Sequence, residues 1–283
     1  MRPNVFRPQS LQEACSLLEE HEEALVYGGG TALQILLKQG ILVGSSFIDI
    51  SGIPGLAEIS FTDDFLRVGP MVTLRRMERS EEIRELFSLA SSAYAKVANP
   101  RVRNTATVGG NIAHGDYRLD PPVALLVLGA SVELTSRNSI RKVPLEEFFV
   151  DFQVTDISAG EIVTAVEIPR SIHLAGSSFV KLSSLSANDW PSASAAVGLM
   201  ENDNGVHTLR LALGALAATP VMATVDIRNL NLDQTLEASL SKAMELMDPI
   251  ADVRGSVKYK LRLGRVAVEE AIRSAWKEIP NGR

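Results

Sequence analysis

The sequence predicts an α+β fold, and three observations carry that prediction. Short apolar runs that read as strands are mixed with capped helices, without the regular rhythm of a parallel α/β sheet. Two glycine-rich segments, Gly28-Gly29-Gly30 and Gly109-Gly110, punctuate the first half. Hydrophobic residues make up 46% of the chain and charged residues 22%, the balance of a globular protein with a sizeable core. At 283 residues there is comfortable room for two domains.

Ser10 followed by Glu13 reads as a capping box opening the first helix. Ala24 to Tyr27 is a short apolar strand that runs into the three glycines. Thr31 and Gln34 form a second capping-box pattern, with a helix Ala32–Lys38 closed by Gly40. Phe47–Ile50 reads as another strand, followed by the turn signal Gly52-Ile-Pro-Gly55, and the closely spaced apolar residues from Leu56 to Pro70 as a hairpin. Ser80 caps a predicted long helix whose stripe is Ile83, Leu86, Phe87, Ala90, Ala93, Tyr94 and Val97. Asp120 reads as the N-cap of a helix with Pro121 or Pro122 in its first turn, apolar Val123–Leu128, and Gly129 as the stop. Val132–Leu134 and Ile162–Ile168 read as strands, and Pro, Ser and Gly gather at 169–177 as a boundary. Beyond it, VHTLRLALGAL alternates as a strand, while Thr235–Met247 and Val257–Trp276 read as helices.

The net charge of −6 argues against a nucleic-acid partner, which calls for a basic face. The N-terminus lacks the apolar stretch of a signal peptide and no run is long enough to span a bilayer, so the expected location is the cytoplasm. One cysteine, Cys15, excludes a disulfide within the chain and an all-cysteine iron–sulfur site. Its helical spacing with Leu11, Ala14 and Leu18 places it in the core.

In VYGGGTALQILL, three glycines lie between a strand and a helix N-terminus. That is either a tight turn or an anion cradle, where free N–H groups and the helix dipole favour a phosphate. A Rossmann fingerprint starting at Gly28 fails at Leu33, one starting at Gly30 fails at Ala32, and no Walker A pattern exists. The second segment, Thr107-Val108-Gly109-Gly110-Asn111, shifts the balance towards a dinucleotide gripped from two sides. Thr107 and Asn111 can donate to phosphate or ribose, and Asp120 can accept from ribose hydroxyls. Singly, each has a plainer role, as strand surface, turn former and helix cap. His114-x-Asp116 has no neighbouring histidine or cysteine to complete a metal site, so His114 is expected to border the ligand or to pack under the loop.

These segments resemble a known family. GGGTALQILLKQG is similar to the Gly-Gly-Thr loop of flavoprotein subunits of molybdenum hydroxylases, the xanthine dehydrogenase and carbon monoxide dehydrogenase medium subunits. RNTATVGGNIAHGDYRLDPPVALLVLGA matches their second loop, including an aspartate nine residues after the asparagine, and LRLALGALAATPVMA and DVRGSVKYKLRLGRVAVEEAI resemble their C-terminal domain. The resemblance implies an FAD-binding fold of the vanillyl-alcohol oxidase type, also shared with the muramate reductase. Two α+β subdomains (about 1–55 and 56–172) would make a domain spanning 1–172, followed by a small α+β C-terminal domain over 173–283.

By the same resemblance FAD is the cofactor. Its contacts fall on Tyr27, Gly28, Gly29, Gly30, Thr31 and Ala32, and on Thr107, Val108, Gly109, Gly110, Asn111 and His114. Asp120 falls on the ribose side, Lys181 near the flavin, and Asp189 on an acidic family position. The implied partners are a large molybdopterin subunit and a small [2Fe–2S] subunit, with NAD, a quinone or oxygen as acceptor. No acid–base dyad or nucleophile is expected, because the flavin carries the chemistry. Ser183 and Ser184 stand where the family usually has an arginine pair, and Tyr117-Arg118-Leu119 replaces small residues. A self-sufficient flavin reductase and a flavin-free assembly or nucleotide-binding protein are the rival readings.

Overall fold

The computed structural model describes residues 4–41, 46–202 and 205–279, which build three larger sheets in succession and one two-stranded pair. The first is parallel, in the order β1-β3-β2: β1 (Val5–Phe6), β2 (Leu25–Tyr27) and β3 (Phe47–Asp49), joined by α1 (Leu11–Glu20) and α2 (Thr31–Lys38). Ser10 caps α1 by accepting the Glu13 N–H at 3.2 Å. The Glu13 carboxylate takes the Gln9 N–H instead of that of Ser10, so the box closes one residue early. Cys15 is buried in this small core and donates to the Thr135 carbonyl.

The second sheet has five strands, in the order β4-β5-β10-β6-β7, antiparallel throughout. The hairpin β4 (Ile59–Phe61) and β5 (Phe65–Val68) precedes five helices: α3 (Leu74–Arg79), α4 (Glu81–Leu86), α5 (Ser88–Ala95), α6 (Pro100–Arg103) and α7 (Val108–His114). Then come α8 (Asp120–Val127), β6 (Ser131–Thr135), β7 (Ile140–Pro144), α9 (Leu145–Phe148), the small pair β8 (Phe149–Asp151) and β9 (Val154–Thr155), and β10 (Ile162–Pro169). The long helix expected after Ser80 is two helices, broken at Phe87, whose backbone leaves the helical region (φ −138°, ψ 51°). The break changes the phase of the stripe. Leu86 is left exposed, while Phe87 and Leu89 turn into the core.

The third sheet, β11-β12-β13-β14, is an antiparallel meander of β11 (Leu174–Leu182), β12 (Ala193–Asn202), β13 (Gly205–Gly214) and β14 (Val221–Asp226). Two helices, α10 (Leu232–Leu246) and α11 (Val257–Lys277), complete the chain. Helix α10 starts ahead of the expected Thr235 because Asn231 and Gln234 form a reciprocal capping box.

All eight residues of α8 are buried, as befits a helix that is apolar on every side. One core joins α8 to Leu66, Val68 and Val132 of the second sheet and to Phe179, Ala196 and Ala212 of the third. The other face of the third sheet, through Ala195, Val197 and Leu211, packs on Ala267, Val268 and Ala271 of α11. Among the described residues no helix is long and apolar enough to cross a membrane.

Candidate cofactor site

A cleft of about 1100 Å³ is lined by the two glycine segments, by α8's first residue and by the turn between β11 and β12. Strand β2 delivers the first segment. Gly30 adopts a left-handed conformation (φ +67°) and is itself the N-cap of α2, without a side-chain hydrogen bond, so Thr31 is the first helical residue rather than a cap. The expected box fails because Gln34 turns its amide to the Tyr27 hydroxyl at 3.4 Å. Helix α2 therefore begins with the N–H groups of Thr31, Ala32 and Leu33 uncapped and facing the cleft, a fixed partial positive charge.

The glycines serve contact with the second segment. A Cβ on Gly29 would sit 2.0 Å from the Thr105 carbonyl oxygen, and one on Gly28 3.1 Å from Thr107 Oγ1. The second segment is itself a helix start. Thr107 caps α7 by accepting the Gly110 N–H at 3.2 Å, and Asn111 N donates to Thr107 O. Val108 N and Gly109 N donate to the carbonyls of Val72 and Pro70. Its backbone donors are thus occupied within the protein, which leaves side chains to meet a ligand. Gly109 is small for packing, since a Cβ would lie 2.4 Å from that of Pro70, whereas Gly110 opens towards the cleft. Asn111 Oδ1 is buried and, among the described residues, without a hydrogen-bond partner.

Asp120 is the first residue of α8, and Leu119 takes the N-cap position. Its carboxylate does not cap the helix because it is drawn to Lys181 Nζ, 2.7 Å away on β11. The side chains of the pair are 4% and 5% exposed. Lys181 also donates to the Lys96 carbonyl at 2.9 Å. Burial pushes the Asp120 carboxyl up to about 7, against the pull of Lys181. Its second oxygen, Oδ1, is buried and, among the described residues, without a hydrogen-bond partner. Two acceptors with unmet capacity thus border one cleft that also receives an uncapped helix, which is the demand pattern of a polar, anionic ligand. His114 lines the cleft too, held towards its neutral form by burial, with its ring 6.4 Å from Trp190.

Of the residues expected from the sequence, thirteen line this cleft: Gly28, Gly29, Gly30, Thr31, Ala32, Thr107, Gly109, Gly110, Asn111, His114, Asp120, Lys181 and Asp189. Tyr27 and Val108 do not. The Tyr27 ring supports the Gly30 turn from beneath, and Val108 is wholly buried in the core. Sequence reasoning missed Ala98, the stretch Ile157–Val163, Asn188 and Trp190. Only Trp190 carried a signal, as a tryptophan in the polar run SANDWP. Two guanidinium groups reach the turn that carries Ser183 and Ser184. Arg254 forks Asp189 at 2.8 and 3.0 Å, and Arg118 lies 5.0 Å from the Trp190 ring centre.

The comparisons agree with this geometry. Residues 1–171 match the model of the FAD binding domain in molybdopterin dehydrogenase, and residues 178–275 that of the CO dehydrogenase flavoprotein C-terminal domain. The chain is 30% identical over 272 residues to the nicotine 6-hydroxylase medium subunit of Paenarthrobacter nicotinovorans, covering 94% of this chain and 93% of that one. It is 29% identical over 280 residues to the xanthine dehydrogenase FAD-binding subunit of Escherichia coli O157:H7, covering 96% and 95%. A solved carbon monoxide dehydrogenase chain from Hydrogenophaga pseudoflava superposes with a TM-score of 0.90 at 26% identity, covering 99% of each chain. The chain therefore belongs to the family of FAD-binding medium subunits of molybdenum hydroxylases, oxidoreductases of the carbon monoxide and xanthine dehydrogenase type.

Proposed function

We propose that this chain is the electron-transfer subunit of its complex, taking electrons from [2Fe–2S] clusters on a small partner and passing them through FAD to a terminal acceptor. A large molybdopterin subunit would oxidise the substrate, and NAD, a quinone or oxygen would be the acceptor, with the whole working in the cytoplasm. FAD supplies the redox chemistry when bound. Residues 1–172 would form its binding domain and 173–283 the domain that closes over it. The N–H groups of Thr31, Ala32 and Leu33 hold the pyrophosphate, supported by the glycine turn. The free acceptor oxygens of Asn111 and Asp120 take the sugar and ribityl hydroxyls, and Lys181 keeps the Asp120 carboxylate in place. The observation that carries this reading is the meeting of both glycine segments and two unpartnered buried acceptors on one cleft.

The test is an absorbance spectrum of the purified chain, with the released cofactor identified after denaturation. Flavin bands and free FAD are expected. A colourless protein that refuses added FAD sinks the reading and favours a flavin-free assembly role. Turnover of a small substrate with NAD(P)H by the isolated chain would instead favour a self-sufficient reductase. Gly110→Val sharpens the test, because its side chain would meet only Thr107 Oγ1, at 3.0 Å, before entering the cleft. The variant is expected to fold, with a helical circular dichroism spectrum near wild type, and to retain less than about a tenth of the flavin, a loss of about 1.4 kcal/mol or more. Full flavin content in folded Gly110→Val would count against the second glycine segment as a wall of the cofactor site.

A further inference from the structure

The Tyr117-Arg118-Leu119 segment sits at the joint between the first two sheets' domain and the third sheet. Arg118 forks Asp116, with Nε to Oδ1 at 2.8 Å and Nη2 to Oδ2 at 2.6 Å, and its backbone N–H donates to the same carboxylate. Asp116 is 1% exposed, so this pairing fixes the guanidinium plane. That plane lies over two rings, 5.2 Å from the centre of Tyr117 and 5.0 Å from that of Trp190. Its remaining nitrogen lies 3.9 Å from Asp252, which binds Lys260 Nζ at 2.9 Å and accepts the Arg254 N–H. Arg254 in turn forks Asp189, the residue before Trp190. The chain of charges closes on itself. Arg118 reaches Trp190 directly by cation–π contact, and Trp190's neighbour through Asp252 and Arg254.

We propose that Arg118 is a positioning residue that holds Trp190 as the closing wall at the His114 end of the cleft. It thereby sets how tightly the cofactor is retained there and how open it is to solutes. The geometry gives the reason. The turn between β11 and β12 joins the third sheet to the cleft, and Trp190 is its bulkiest side chain there. Among the described residues the indole's ring partners are His114 at 6.4 Å and the Arg118 guanidinium at 5.0 Å. A planar guanidinium fixed by a buried carboxylate is a rigid support, whereas lysine in its place would keep the charge and lose the fork. The bearing on cofactor retention rests on the FAD reading above; the bearing on Trp190 does not.

The experiment uses the full chain in a Trp276→Phe background, which leaves Trp190 as its one tryptophan. Arg118→Lys and the double variant Asp116→Asn/Arg118→Gln are compared, the latter removing the buried anion together with its partner so that folding is preserved. Acrylamide quenching of Trp190 fluorescence in the flavin-free chain is expected to rise roughly threefold in the double variant and less in Arg118→Lys. With FAD bound, flavin dissociation and iodide quenching of flavin fluorescence are expected to rise by roughly threefold to tenfold, in the same order. Unchanged Trp190 quenching in both variants overturns the proposal, as does a freed Trp190 with flavin dissociation unaltered. A chain that binds no flavin but frees Trp190 on substitution would sink the FAD reading and leave the positioning role standing.

Discussion

Gly29→Ala is expected to cost the protein both its flavin and a large part of its stability. The added Cβ would lie 2.0 Å from the Thr105 carbonyl oxygen, 2.9 Å from its carbonyl carbon and 3.0 Å from Ala106 Cα. These are backbone atoms that cannot rotate away, and both strands of contact are anchored: Thr105 and Ala106 donate to the Val102 carbonyl, and Leu74 donates to that of Ala106. The two glycine segments must therefore part. Overpacking of this kind costs about 3 kcal/mol or more, and the separation removes the uncapped α2 terminus from its place opposite Asn111. Urea unfolding and flavin content measured on the same preparation check both halves. Gly52→Ala is the control, because its Cβ would meet nothing within 4 Å and it lies outside the cleft. Wild-type stability and flavin in Gly29→Ala would mean that the two segments are not locked together.

The second large effect is an asymmetry between the partners of one buried ion pair. Above about pH 7, where Asp120 is ionised, Asp120→Asn leaves the Lys181 ammonium, on a side chain 5% exposed, without its anion, a loss of roughly 3–5 kcal/mol. Lys181→Met leaves Asp120, whose carboxyl burial already pushes up to about 7 even beside the cation. Without Lys181 it keeps its proton to higher pH and stays uncharged, so the expected loss at pH 8 is smaller. The pH dependence follows in sign. Between about pH 4 and 7 the folded protein holds a proton on Asp120 that the unfolded chain has released. The stability this group contributes is full below the ordinary carboxylate range and is lost as pH rises to about 7. Asp120→Asn should flatten that part of the profile, while Lys181→Met should extend the decline to higher pH. Melting temperatures from pH 4 to 9 test both. Equal losses for the two variants at pH 8, or an unaltered profile in Asp120→Asn, would overturn the assignment.

Much of this architecture is legible where local chemistry decides it. Ser10 stops and starts the backbone by its own hydroxyl, Gly40 closes α2 in a left-handed conformation, and α11 shows its stripe over twenty-one residues. The reading fails where distant contacts decide. Strand β12, ASAAVGLMEN, is buried on both faces between α8 and α11, so it has no polar alternation to betray it. The break at Phe87 answers to packing beneath it. At the site, the glycines announce themselves, yet their reason is close approach to each other as much as to a ligand. Asp120 looks like a helix cap because nothing near it in sequence reveals Lys181, sixty-one positions on. Lys181 came only from family resemblance, and Trp190 from neither.

The helix α8 has a bearing on how the molecule comes apart. Its eight residues serve as common filling for two sheets that belong to different matched segments of the chain. A nick in the 170–173 connection between β10 and β11 would sever the backbone and leave that filling undisturbed, so the halves should stay associated as complementing fragments. Heat or denaturant, by contrast, has no seam at which to begin. The nucleotide cleft runs along the same helix's first turn, so the protein is built to lose its cofactor and its interlocked halves in a single event.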